Sequence, residues 1–270
     1  MSALIFVINI ENNSDRRLEM AEFYIPDGRQ IGKKEFIEYY NSRYYLSSEI
    51  VKGVNRAVNQ NSKFIEDKID DLLKLGIKDE NDVVHILAWK TGKIKHKDSE
   101  LNKKFEYYSS WSINEYKKDY KIKIYDKKDV DVKTFAEYIV KNITVLESES
   151  IDNPQNVLNK LKDKSPQGIG TVYLITLLYF ISKGKYPIYD RFATMAVDAI
   201  LNNKKPNDYV SYSELPNKND KKFDEVINIY NKNYVNKLNE IFGDEYKSNR
   251  DIDRALWVYG HLFNNNKKGC

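Results

Sequence analysis

"SPQGIGTVYLITLLYF", residues Ser165 to Phe180, places two glycines around one isoleucine and then runs on without a single charge. A helix apolar on every side is one buried in the middle of a domain, and sixteen residues are too few to cross a bilayer. Gly168 and Gly170 permit positive φ and close approach, so backbone N–H groups at the start of that helix can face a ligand unobstructed. Bare amides at a helix N-terminus form an anion site, and phosphate is the usual anion. The preceding "NVLNKLKDKS" is helical in pattern, so the local order is helix, tight Gly-x-Gly turn, helix.

Upstream, Pro154 suits the first turn of "PQNVLNKLKD", and "VKTFAEYIVKNITVL" carries helical periodicity. Downstream, helices are expected from about Arg191 to Leu201, within 221–242 and within 250–263. Residues 46–150 read as a helical subdomain. There Ile50, Val54, Ala57 and Val58 share one face, Ile65, Ile69, Leu72 and Leu73 another, and Asp79 suits the N-cap of "NDVVHILAWK". Its stretch 91–131 is a lysine- and tyrosine-rich surface excursion, with "KIKIYD" as a short strand. Residues 1–45 form a small α+β opening: strand-like "ALIFVINI" and "EFYIP", an Asp27–Gly28 turn and the amphipathic "KKEFIEYY". Residues 151–264 make a third unit and 265–270 a tail. The expected class is mainly α with a small α+β N-terminal segment.

Composition narrows the chemistry. The only cysteine is Cys270, which excludes an internal disulfide, a thiolate zinc site and a cysteine-ligated cluster and fits a reducing cytoplasm. "MSALIFVINI" lacks a basic n-region and a cleavage site, so it reads as a strand rather than a signal peptide. Residues 1–150 hold 26 basic and 26 acidic side chains, while 151–270 hold 18 and 14, so the whole net charge of +4 lies in the second part. That excess is compatible with nucleic acid without selecting it.

The residues from Ser165 to Phe180, followed by "KYPIYDRFA", resemble the helix-hairpin-helix DNA glycosylase superfamily, best its oxidised-guanine branch and bacterial relatives. In that family a Gly-hydrophobic-Gly hairpin and its buried helix precede, some twenty residues on, a proline and a catalytic aspartate that opens the next helix. Asp190 lies 20 positions after Gly170, and "RDIDRALWVYGH" resembles the closing helix. The resemblance covers about 150–264 and implies a mainly α, helix-hairpin-helix glycosylase-like fold acting on double-stranded DNA as a cytoplasmic, nucleoid-associated monomer. It implies that Gly168, Gly170 and Val172 hold a phosphate, with a monovalent cation on the hairpin carbonyls, Lys164 and Arg191 nearby, and Asp190 as catalyst. Asp190 also reads as an N-cap for "RFATMAVDAIL", and the two jobs are compatible.

Two departures matter. Strand-nicking members carry a lysine two residues after the second hairpin glycine, where this chain has Val172, so a monofunctional hydrolase is expected unless Lys183 or Lys185 enters from the far end of the helix. "PIYD" also sets one more residue between Pro187 and Asp190 than the family's Pro-x-Asp. For the base pocket the candidates are Trp257, Arg254, Asp253, His261 and Tyr189. Arg250, Arg254, Trp257 and His261 follow one stripe, which reads either as pocket and phosphate contacts or as a solvent-facing face with a half-buried Trp. Asp253 is a salt-bridge partner first and a pocket acid second.

Other routes fall away. "GRQIGKK" is one residue short of a P-loop and lacks its Ser/Thr; His85, His96 and His261 have no metal-ligand spacing, His85 reading as a core residue. The run "KTGKIKHK" reads first as a solvated loop and second as a phosphate grip. The expectation is therefore a DNA glycosylase that leaves an abasic site, in repair or in attack on modified phage DNA. The alternatives are a non-catalytic hairpin DNA-binding module and a helical interaction protein.

Overall fold

The computed structural model describes residues 21–44, 62–90, 94–97, 104–107, 111–112, 120–123, 129–206, 208 and 223–263. The run "ALIFVINI", the face of Ile50, Val54, Ala57 and Val58, the side chain of Ile65 and the tail 265–270 lie outside the described residues.

The chain opens with an antiparallel pair, β1 (Phe23–Tyr24) and β2 (Gln30–Ile31), in register Phe23 to Ile31. The expected Asp27–Gly28 turn joins them, with Gly28 at φ +84°. Helix α1 (Lys33–Asn41) follows, burying Phe36 and Tyr40. Next come α2 (Ser62–Leu75) and α3 (Glu80–Lys90); Asp79 caps α3 as expected, its carboxylate accepting the Asp82 N–H at 3.1 Å. An antiparallel sheet of β3 (Ile94–Lys97), β4 (Lys104–Tyr107) and β5 (Trp111–Ser112) corrects, for Ile94–Lys97, the reading of "KTGKIKHK" as loop. Ladder pairing with β4 holds a lysine-rich segment extended, which local charge does not report. The expected strand in "KIKIYD" is β6 (Lys121–Lys123), paired with β7 (Asp129–Asp131).

The remainder is helical. The run from Val132 is not one helix but two, α4 (Lys133–Lys141) and α5 (Ile143–Asp152), broken at Asn142 with φ −109° and ψ 11°. Then come α6 (Pro154–Lys164), with Pro154 in its first turn, α7 (Thr171–Ile181) and α8 (Arg191–Leu201). Helix α9 (Phe223–Ile229) continues through a π-helical segment, Tyr230–Val235, into α10 (Asn236–Phe242), and α11 (Arg250–Gly260) closes the chain.

Every residue from Tyr173 to Ile181 is buried, so α7 is the central helix expected of an uncharged run. It packs against α3, α5, α6 and α9. Its polar Thr176 returns a hydroxyl to the Val172 carbonyl at 2.9 Å, which removes the cost of a buried donor. The most extensive helix pairings are α8 on α11 and α11 on α1, where Phe36 and Tyr40 meet Tyr259 at ring separations of 5.1 and 5.0 Å. Side chains from Phe23 to Phe263 thus share one hydrophobic core. No helix among the described residues is long and apolar enough to cross a membrane.

Candidate functional site

Between α6 and α7 the chain turns within Ser165–Gly170. Gly168 takes φ +103°, which a side chain would resist, while Ile169 buries its side chain and donates its N–H to Pro166 O at 3.1 Å. Gly170 corrects one expectation: at φ −83° and ψ 169° it is an extended N-cap residue, and a Cβ there would meet nothing within 4 Å. Its glycine therefore keeps the outer face of the turn clear rather than relieving a crowded interior. Intrahelical bonding begins with Tyr173 N–H on Gly170 O, so the amides ahead of it, Val172 included, belong to the unpaired first turn. Lys164 is exposed in the last turn of α6. The Pro166 carbonyl accepts the Ile169 N–H, and the Gly170 carbonyl accepts those of Tyr173 and Leu174.

The segment after α7 delivers the carboxylate. Tyr230 pins it by donating to Pro187 O at 2.8 Å, and Tyr189 is buried against the rings of Tyr230 and Tyr234. This corrects the placement of Tyr189 in a base pocket: next to a partly exposed residue, the alternate side chain points into the core. Asp190 then caps α8, its Oδ1 accepting the Phe192 N–H at 2.8 Å. Its Oδ2 lies 3.4 Å from Lys90 Nζ, and the same amine donates to Tyr189 O at 3.1 Å. Burial opposes the charge on Asp190, but Lys90, the Phe192 amide and neighbouring His261 outweigh it and hold the carboxyl below its ordinary value. A quarter of the side chain remains in contact with solvent.

Beside this carboxylate stands an aromatic stack. The His261 ring lies on Phe192 with centroids 3.3 Å apart and meets Trp257 at 4.0 Å, and Tyr44 meets Trp257 edge-on at 5.4 Å. His261 Nδ1 is 2.7 Å from the Trp257 carbonyl, which can only accept, so the proton sits on Nδ1 and the Nε2 lone pair points elsewhere. Burial brings its pKa down to about 4, against the opposing pull of the Trp257 carbonyl and Asp190, so the ring is neutral at pH 7. Phe192, Trp257 and His261 are all partly exposed, and Arg191, which is exposed, lays its guanidinium 4.4 Å over the Phe192 ring. Asp190, Trp257, His261 and Arg191 are therefore brought together where the start of α8 meets the end of α11.

Arg250 and Arg254 are not on a solvent-facing stripe, and Arg254 does not line a base pocket. Both are 6% exposed. Glu66 accepts from Arg250 at 2.7 Å, Tyr44 at 2.9 Å and Trp89 Nε1 at 2.7 Å, while Arg254 reaches both Asp70 oxygens at 2.7 and 2.6 Å. The physical reason is complementarity: acids at i and i+4 on α2 meet arginines at i and i+4 on α11, and a buried guanidinium is tolerated only when so paired. Asp253 bonds Arg250, as its salt-bridge reading expected, and burial raises its carboxyl pKa against the pull of Arg250 and Lys90. It also lines a small, partly open pocket with Tyr179, Pro187, Ile188, Tyr234 and Tyr246.

Lys183 and Lys185 do not reach Asp190. Lys183 turns to Glu147 at 3.8 Å and Lys185 to Ile151 O at 2.6 Å, both on α5. Residues that sequence reasoning missed are Lys90, Phe192, Tyr44, Glu66 and Asp70. The matching i, i+4 spacing of Glu66 with Asp70 and Arg250 with Arg254 was a usable signal; nothing in sequence linked Lys90 to a residue 100 positions away. His85 is a core residue as expected, its pKa lowered by burial to about 3. Among the described residues, no group of three or more His, Cys, Asp or Glu side chains is arranged to hold a metal ion. No protein-family model matches the chain, and no curated protein or solved structure matches it significantly.

Proposed function

We propose that this chain is a DNA glycosylase of the helix-hairpin-helix kind, which flips a base from the duplex and hydrolyses its N-glycosidic bond. The observation that carries the reading is Asp190: a carboxylate held charged at a helix start, partly open to solvent, beside an aromatic and cationic surface. Loss of a base generates positive charge on the sugar, which a fixed carboxylate stabilises while it orients the attacking water. Phe192, His261 and Trp257 offer ring faces for an extruded base, and Arg191 with Lys164 and the hairpin amides would take flanking phosphates. Asp190 keeps lone pairs for water, since each oxygen spends one acceptor site on Phe192 or Lys90.

A second reading, a hairpin module that binds DNA without catalysis, draws on the same bonds: both Asp190 oxygens already serve the fold. Asp190→Asn separates the two, because asparagine caps a helix about as well as aspartate. On duplexes carrying oxidised, alkylated and phage-type modified bases, wild type should release the base, scored as total strand breaks after alkali, and Asp190→Asn should not. Equal yields from both proteins refute catalysis by Asp190. Salt-dependent binding by both, with no base released by either, would establish the module instead.

A further inference from the structure

We propose that Lys90 is the amine of an abasic-site lyase, so that the chain also opens the strand at the aldehyde left by base removal. The proposal rests on the glycosylase reading and adds a second reaction at the same carboxylate. Lys90 ends α3 and comes from a part of the chain without hairpin resemblance, yet its amine is carried to Asp190 Oδ2 at 3.4 Å and Tyr189 O at 3.1 Å. Only 9% of its side chain is exposed. Among the described residues these two oxygens take two of the ammonium's three hydrogens, and the third has no protein acceptor.

A lysine at a helix C-terminus is well served by solvent, and burying it for one long ion pair and one carbonyl bond recovers only part of the lost hydration. The burial is instead enforced from behind. Trp89, the residue before Lys90, is held by Glu66 through its indole N–H and stacks under Arg250 at 5.0 Å. The ion network of α2 and α11 thus fixes the end of α3 and aims Lys90 at the carboxylate. Val172 has no amine to give, and Lys183 and Lys185 are engaged on α5.

The chemistry balances without an oxidant or reductant. The abasic sugar opens to a C1′ aldehyde; Lys90 gives up one proton, relayed by Asp190 to water, and its lone pair forms the Nζ–C1′ bond. Water leaves to give the protonated imine. A C2′ proton passes to Asp190, the C3′–O bond breaks, and its electron pair departs with the 3′ phosphate. Water then cleaves the imine, returning the amine and leaving an unsaturated aldehyde on one fragment and a 5′-phosphate on the other.

The test uses the full chain and a duplex with one preformed abasic site, so it does not depend on which base is removed. With borohydride present, wild type should become covalently joined to the DNA, and peptide mapping should place the adduct on Lys90. Without borohydride the strand should be cut with no alkali. Lys90→Arg keeps a cation on Asp190 but cannot form an imine; it should lose adduct and cutting while still binding the abasic duplex. Should that variant fail to fold, mapping of the wild-type adduct decides alone. Absence of an adduct with wild type, an undiminished adduct in Lys90→Arg, or an adduct on another amine overturns the proposal. Base release that persists without any adduct removes the lyase alone. Neither base release nor abasic-DNA binding removes the glycosylase reading with it.

Discussion

Gly260 lies directly on the backbone of Phe192: a Cβ at residue 260 would overlap the Phe192 carbonyl. This is where α11 approaches the first turn of α8, and the next residue, His261, is thereby set on the Phe192 ring. One missing methyl group thus brings the aromatic surface to the helix that Asp190 caps.

Gly260→Ala should consequently destabilise the protein by about 1–3 kcal/mol, the usual cost of forcing a methyl into a packed contact. Urea unfolding followed by circular dichroism measures it. A variant as stable as wild type would mean that α8 and α11 do not meet at this point.

At the hairpin the two glycines should behave differently. Gly170→Ala, facing open space, should shift unfolding free energy by under about 0.5 kcal/mol yet weaken duplex binding at low salt. Gly168→Ala, at φ +103°, should cost about 1 kcal/mol or more of stability. Equal stability losses in both variants would contradict the assigned backbone conformations.

Glu66→Gln should cost roughly 3 kcal/mol, because it leaves Arg250 buried beside a neutral amide. Glu245→Gln, which breaks an exposed pair with Lys33, should change stability by less than about 1 kcal/mol. Similar urea midpoints for the two variants would show that the α2–α11 network is not closed.

Stability should fall as pH drops below about 6.5. His85 and His261 have folded pKa values lowered to about 3 and about 4, so from pH 6.5 downward the unfolded chain binds protons that the native chain refuses. The slope approaches 1.4 kcal/mol per pH unit for each fully titrating histidine. Asp190 acts in a more acidic window: its lowered pKa contributes stability above about pH 3.9 that is lost as pH falls through the folded value. Urea unfolding at pH 7, 6, 5 and 4.5 tests the histidine slope, and His85→Gln should flatten it.

Much of the local structure was legible because it is decided within a few residues. Asp79, Pro154 and Asp190 stand at the helix starts their chemistry favours, and an uncharged run could only become the central helix. Two features were less visible: Asn142 splits a run whose periodicity is continuous, and Ile94–Lys97 is extended because a partner strand pairs with it.

The amino-acid order by itself determined a mainly helical chain, the Gly168 turn and a capping aspartate, since sterics, capping and hydrophobic periodicity act at short range. Which side chains surround that aspartate was decided only by tertiary structure. Helix packing buried Arg254 and Tyr189, stacked His261 between Phe192 and Trp257, and carried Lys90 across 100 positions to Asp190. The i, i+4 spacing of Glu66 with Asp70 and of Arg250 with Arg254 marks each helix as carrying a charged pair, but which helices meet, and so which buried charges are made tolerable, is chosen by the fold.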